Sequence, residues 1–217
     1  RTDAKENLIT ALEIAATKKN GKAMVPEVCI YFDYQLFRGN RSMKYSAEKF
    51  EAFSSPNYPV LAEAGVHLTF FQNYILPVPT GKFHIKTSYE ANIGILKIYP
   101  GITETVVKAV LSANVKAIVL ETFGAGNTTT ESWFPDALAV TIAEGKIIID
   151  ITQCQGGSVQ LGLYETSSKL KQIGVISGYD MTFEATVTKL MYLLGTGLTM
   201  EEVKQQMEIS IAGELTN

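Results

Sequence analysis

Histidine and cysteine are scarce, with two of each in 217 residues, and no Cys/His cluster has the spacing of a metal site. Cys29 and Cys154 lie far apart in apolar surroundings. Two free, buried thiols in a reducing compartment are therefore expected, with no disulfide. A nucleophilic Cys154 needs a base, and neither His67 nor His84 stands in visible pairing with it. There is no G-x-S-x-G elbow for a serine nucleophile. No apolar run has the length of a membrane span. Basic excess is missing as well: the net charge is -3, which argues against nucleic acid as a partner. The opening stretch, RTDAKENLITALEIAATKK, reads as an amphipathic helix and not as a signal peptide.

What is present is enough apolar material for a core, at 46% hydrophobic and 19% charged residues. Asp3 with Glu6 makes a capping-box-like start to the first helix. Leu8, Leu12, Ile14 and Ala15 supply its apolar stripe, and Gly21 is expected to close it. A β-rich run follows at 24–32, a helical pattern at 46–53, a loop at 54–59 and a strand at 66–71. From Pro77 the chain turns to Pro, Gly and mixed polar residues without a helical period, which reads as a linker. Beyond it apolar strands (93–100, 115–122, 146–152, 174–178) alternate with helical patterns (103–112, 129–145, 181–195, 199–207). Such alternation predicts a buried parallel sheet of βα units.

Sites in these sheets lie in loops beyond the carboxyl ends of strands. By position, residues 33–45, 122–130 and 152–160 are the candidates. The first contains FRGNRSMKY, with Arg38, Arg41 and Lys44 around a Gly-Asn turn signal. Residue type alone favours a solvated basic turn over a lysine held at a site. The second, ETFGAGNTTT, brings Gly124 and Gly126 together beside Asn127, whose amide both donates and accepts. It lacks the third glycine of a dinucleotide fingerprint, and a plain tight turn is the slightly favoured reading. Spacing alone does not name a reaction.

Taken together, FRGNRSMK (37–44), EAFSSPNYPVLAEAG (51–65), IYPGI (98–102), LETFGAGN (120–127), ITQC (151–154) and GVISGYDMTFEATVTKLMYLL (174–194) resemble the L-asparaginase family, in its cytoplasmic, type I branch. The resemblance begins at RTDAKENLITAL (1–12), runs to GELT (213–216) and corresponds to the C-terminal two thirds of such an enzyme. It implies an α/β fold: the remainder of an N-terminal α/β domain (1–76), a linker (77–90) and a smaller C-terminal α/β domain with a parallel sheet (91–217). It also implies an amidohydrolase that converts L-asparagine to L-aspartate and ammonia through a threonine nucleophile. Such an enzyme needs no cofactor or metal, acts in the cytoplasm away from membrane, and works as a homodimer or tetramer.

Lys44 matches the family's proton-handling lysine, and Asn127 matches a position near the substrate pocket. The family's nucleophile lies in a TGGT motif and the partners of its lysine in a GTDT motif. Neither motif occurs here, so the resemblance implies a fragment that is inactive alone. Met43 and Glu121 depart from the residues that build an allosteric asparagine pocket in some relatives, and Glu121 has the wrong sign to hold a carboxylate. Two other readings remain open: a non-catalytic binding module derived from an asparaginase, and a tRNA-dependent amidotransferase subunit.

Overall fold

A computed structural model describes residues 3–216. The chain forms two compact units, one running to Ile85 and the other starting at Lys86.

The first unit opens with α1 (Ala4–Ala16). Its expected capping box does not form: Asp3 accepts from the Asn7 side-chain amide at 2.8 Å and caps no backbone N–H. Nor is its apolar stripe a core face. Ile14 is buried, but Leu8, Ile9 and Leu12 are exposed. The helix stops at Ala16 because the chain turns into a hairpin of β1 (Lys18–Lys19) and β2 (Lys22–Ala23). Gly21 serves that hairpin and does not cap the helix. Asn20 and Gly21 both have positive φ, the demand of a two-residue turn that Asn-Gly meets best.

Next come β3 (Cys29–Phe32) and β4 (Gln35–Arg38), then the short strands β5 (Met43–Lys44) and β6 (Phe53–Ser54), which pair with each other. The helical pattern at 46–53 yields no helix. The Ser46 hydroxyl accepts from the backbone N–H groups of Glu48 and Lys49, a local bond that competes with helix formation. β7 (Ala62–Ala64) and β8 (Leu68–Phe70) complete an antiparallel sheet of order β3-β4-β7-β8. Its core is small, centred on Ile14, Leu36, Leu61 and Ala62.

The second unit follows the alternation read from the sequence. In order it has β9 (Ile93–Lys97), α2 (Glu104–Leu111), β10 (Ala117–Thr122), α3 (Trp133–Ala143) and β11 (Ile147–Thr152). Then come α4 (Glu165–Gln172), β12 (Ile176–Ser177), α5 (Phe183–Gly195) and α6 (Met200–Met207). The strands form one parallel sheet, β12-β11-β10-β9. Helices cover both faces. Ile147, Ile149 and Ile151 pack with Leu190 and Leu193 of α5 and Val203 of α6. Ile148 packs on the other side with Val107 of α2, Phe134 and Leu138 of α3, and Leu170 of α4. The capping box Thr199/Glu202 forms as expected at the start of α6. Only α4 has no counterpart among the expected elements, its sequence ETSSKLKQ being mostly polar.

Gly195 ends α5 under a tight approach: a Cβ there would stand 2.7 Å from the backbone nitrogen of Tyr89. Alanine favours helix by about 1 kcal/mol over glycine. Here the crossing backbone outweighs that gain. Gly195→Ala is expected to lower stability by about 1–3 kcal/mol in urea unfolding, the usual range for overpacking. An unchanged or raised midpoint contradicts the reading.

Candidate functional site

The stretch 37–45 is not an exposed basic turn throughout. Arg38 and Arg41 are only 3% and 1% exposed. Arg38 ends β4, and its guanidinium bonds the Glu27 carboxylate through Nε and Nη2 while Nη2 also donates to the Tyr74 carbonyl at 2.9 Å. Glu27 is held in turn by the Leu76 N–H at 2.6 Å. Arg41 lies in the turn after β4 and donates to the Asn57 carbonyl at 2.9 Å. The Tyr58 ring faces both guanidinium groups, with centroid distances of 4.3 Å for Arg38 and 5.2 Å for Arg41. Gly39 between them is required by space, because a Cβ would stand 2.9 Å from the Val28 carbonyl oxygen.

Lys44 alone of the three cations is exposed. It sits on β5 opposite Phe53 of β6, and no carboxylate among the described residues pairs with it. Two inward arginines thus fix the backbone from which an outward lysine projects. Because the sheet beneath is antiparallel, the strand-end rule for parallel sheets does not apply to this loop. It does apply to the other two loops, which follow β10 and β11.

After β10 the chain makes a compact turn. Asn127 N donates to the Phe123 carbonyl at 2.8 Å, and Phe123 N donates to the Asn127 carbonyl at 2.9 Å. Gly124 and Gly126 both have positive φ, so the turn needs them. Asn127 is half-buried, and its Oδ1 accepts from Thr166 Oγ1 of α4 at 3.4 Å. Beside it opens a cleft of about 170 Å³ lined by Thr128, Glu131, Glu165, Thr166 and Lys169 among others.

Gln153, just past β11, ties the strand ends together. Its Nε2 donates to the carbonyls of Ile98 at 2.7 Å and Glu121 at 2.9 Å. The Glu121 carboxylate meets Lys97 at 3.1 Å. Cys154 is exposed, against the expectation of burial, because it lies in the loop beyond the strand. Cys29 is half-buried, and burial, with the neighbouring Glu27 charge, pushes its thiol up to about 12. Neither cysteine is disulfide-bonded. His67 and His84 are both exposed. Among the described residues no group of three or more His, Cys, Asp or Glu could hold a metal ion.

One polar residue escaped sequence reasoning. Asp150 lies inside β11 and is fully buried. Burial pushes its carboxyl up to about 8, with the Thr122 hydroxyl opposing the shift. That hydroxyl is close enough to act. Yet neither it nor either Asp150 oxygen makes a hydrogen bond of normal geometry among the described residues. The signal was in the sequence: KIIIDIT puts a carboxylate in the middle of a strand expected to be buried on both faces.

These observations define a two-unit α/β protein with polar loops at the carboxyl ends of a parallel sheet. A family model described as the Glutaminase/Asparaginase C-terminal domain matches residues 92–207, and one described as Asparaginase, N-terminal, matches residues 1–76. The chain belongs to the asparaginase family. L-asparaginase 1 of Escherichia coli (strain K12) is 39% identical over 216 residues, which are 100% of this chain and 62% of that protein. The 60 kDa lysophospholipase of Mus musculus is 38% identical over 218 residues, 99% of this chain and 37% of its own length. The crystal structure of L-asparaginase I from Vibrio cholerae superposes with a TM-score of 0.91 at 40% identity, covering 100% of this chain and 64% of that one. The chain spans less than two thirds of the length of each.

Asp150 gives folding a pH dependence. The unfolded chain releases this proton near 3.8 and the folded chain near about 8, so the folded state holds the extra proton between those values. Its contribution is therefore full below the lower value and is lost progressively as pH rises towards the upper one. Urea midpoints of the wild type should fall relative to Asp150→Asn as pH rises from about 5 to about 8, then run parallel to it. Parallel curves throughout would show that Asp150 ionises normally.

Proposed function

We propose that this chain is part of an asparaginase that hydrolyses L-asparagine to L-aspartate and ammonia, with Lys44 as its proton-handling lysine and Asn127 as a substrate-binding group. The observation that carries the reading is the division of labour in FRGNRSMK: Arg38 and Arg41 are buried in the fold while Lys44 stays exposed. A lysine kept only for solubility needs no such frame beneath it. The family relationship and the similarity to two named L-asparaginases supply the substrate.

In the reaction, a threonine hydroxyl attacks the side-chain amide carbon, ammonia leaves with the transferred proton, and water then releases aspartate. Lys44 supports proton movement at the nucleophile through a carboxylate partner in the GTDT segment. Asn127 has both a donor and an acceptor to offer an amino-acid substrate. We assign residues 1–76 to the N-terminal domain, 77–90 to the linker and 91–217 to the C-terminal domain. The enzyme works in the cytoplasm as a homodimer or tetramer. Among the described residues no helix is long and apolar enough to cross a membrane.

Residues 1–217 alone should release no ammonia from L-asparagine, because TGGT and GTDT are not in this sequence. Joined to a segment bearing those motifs, the protein should turn over L-asparagine, and Lys44→Ala should lower kcat by about 100- to 10,000-fold. Its thermal melting should stay the same, since the Lys44 side chain is exposed. A Lys44→Ala enzyme with unchanged kcat removes the lysine from the mechanism.

A further inference from the structure

Three buried polar atoms lie at one place in the second unit: Thr122 Oγ1 and both carboxyl oxygens of Asp150. They sit directly under the Phe123–Asn127 turn. Thr122 is the last residue of β10 and immediately precedes the turn. Gly126 immediately precedes Asn127, and a Cβ on Gly126 would stand 3.3 Å from Asp150 Oδ2. The Gly126 end of the turn therefore stands against the Asp150 carboxyl, and the Thr122 hydroxyl at the other end is near enough to influence it.

We propose that Asp150 is the positioning residue for Asn127: its carboxyl, clamped between Thr122 and Gly126, fixes the turn that carries the Asn127 amide. The proposal rests on reading Asn127 as a substrate-binding group only for its catalytic consequence; the coupling itself does not need that reading.

The neighbouring groups have little else to offer Asp150. Ser167 of α4 donates to the Tyr164 carbonyl and accepts from the N–H groups of Gly162 and Tyr164. Ser177, the register neighbour of Asp150 on β12, donates to the Val159 carbonyl. The Gly178 N–H is taken by the backbone carbonyl of Asp150 itself. A protonated carboxyl has one hydrogen to give, and the Thr122 hydroxyl, which makes no other hydrogen bond, is the neighbouring group open to receive it. An ionised one would have only the Thr122 hydroxyl to turn to, too few donors for a buried carboxylate.

Charged groups on the surrounding elements do not compensate. Glu121 of β10 is engaged with Lys97 of β9. On α2, Glu104 and Lys108 pair with each other, and both are exposed. Asp136 of α3 and Glu165, Lys169 and Lys171 of α4 are all exposed, as is Cys154 beyond β11. β12 contributes only Ile176 and Ser177. Ionising Asp150 therefore has one inexpensive outlet, which is displacement of Thr122 and the Gly126 edge of the turn, carrying Asn127 with them. A Gly126 side chain would act from the other side of the same contact.

The test follows the side-chain carbonyl carbon of Asn127 by NMR, in residues 1–217 carrying isotope-labelled asparagine, with the signal assigned by its loss in Asn127→Ala. In the wild type the signal should shift along one titration with a midpoint of about 8. In Asp150→Asn, which keeps the shape and removes the charge, it should stay flat across the same range. A wild-type signal that does not move there overturns the proposal, and this arm needs no variant of Asp150 to fold. A titration that persists unchanged in Asp150→Asn also overturns it. L-aspartate is then added, at a pH below the midpoint, to the protein joined to a segment bearing TGGT and GTDT. If it leaves the Asn127 signal unperturbed there, the substrate reading of Asn127 fails, whereas the coupling to Asp150 has already been decided without ligand.

Discussion

A parallel sheet covered by helices on both faces has no water along its strands, so a polar side chain there must find a partner inside or lose its charge. The second unit is organised by that constraint. β11 is buried along Ile147–Ile151, with α5 and α6 on one face and α2, α3 and α4 on the other. Polar chemistry is pushed to the carboxyl ends, where Gln153 laces Ile98 to Glu121 and the Phe123–Asn127 turn closes over the sheet. Asp150 is the exception within the strand, and it lies one layer beneath that turn. A residue which costs stability by being buried there is best understood through what it holds in place.

The first unit solves a different problem with similar means. Its sheet is antiparallel and its core small, and much of its order near Lys44 comes from buried ionic contacts. Arg38 and Glu27 satisfy each other and two backbone groups, Tyr74 O and Leu76 N. Removing one partner of such a pair typically costs about 3–5 kcal/mol, because the other is left charged and buried. Tyr58 lends both arginines an aromatic face. Seven residues of sequence, 38–44, thus contain two anchoring cations and one outward lysine, although all three look alike by type.

Legibility in the sequence followed burial. The second unit was readable almost element by element, since aliphatic strands such as AIVLET and IIIDIT and caps such as Thr199/Glu202 state their environment locally. α4 was not, because its polar surface gives no apolar period. In the first unit, β3 and β8 fall within the runs expected at 24–32 and 66–71, whereas the other strands, of two to four residues, carry too little periodicity to be seen, and Ser46 diverts a helical pattern into a bend. The loops bearing Lys44 and Asn127 were found by position and by family resemblance. The inward turn of Arg38 and Arg41 was not foreseen, because it depends on Glu27, Asn57 and Tyr74, which are distant in sequence. Asp150 stands in the letters as a lone carboxylate in an aliphatic strand, but the turn above it depends on residues 122–127, which are distant in sequence.

The second unit turns on an uncharged carboxyl under the turn that bears Asn127. Infrared difference spectroscopy between the wild type and Asp150→Asn at neutral pH reads that state directly. A protonated carboxylic-acid carbonyl band present in the wild type and missing from the variant is the expected result. A difference spectrum containing only carboxylate bands would contradict it.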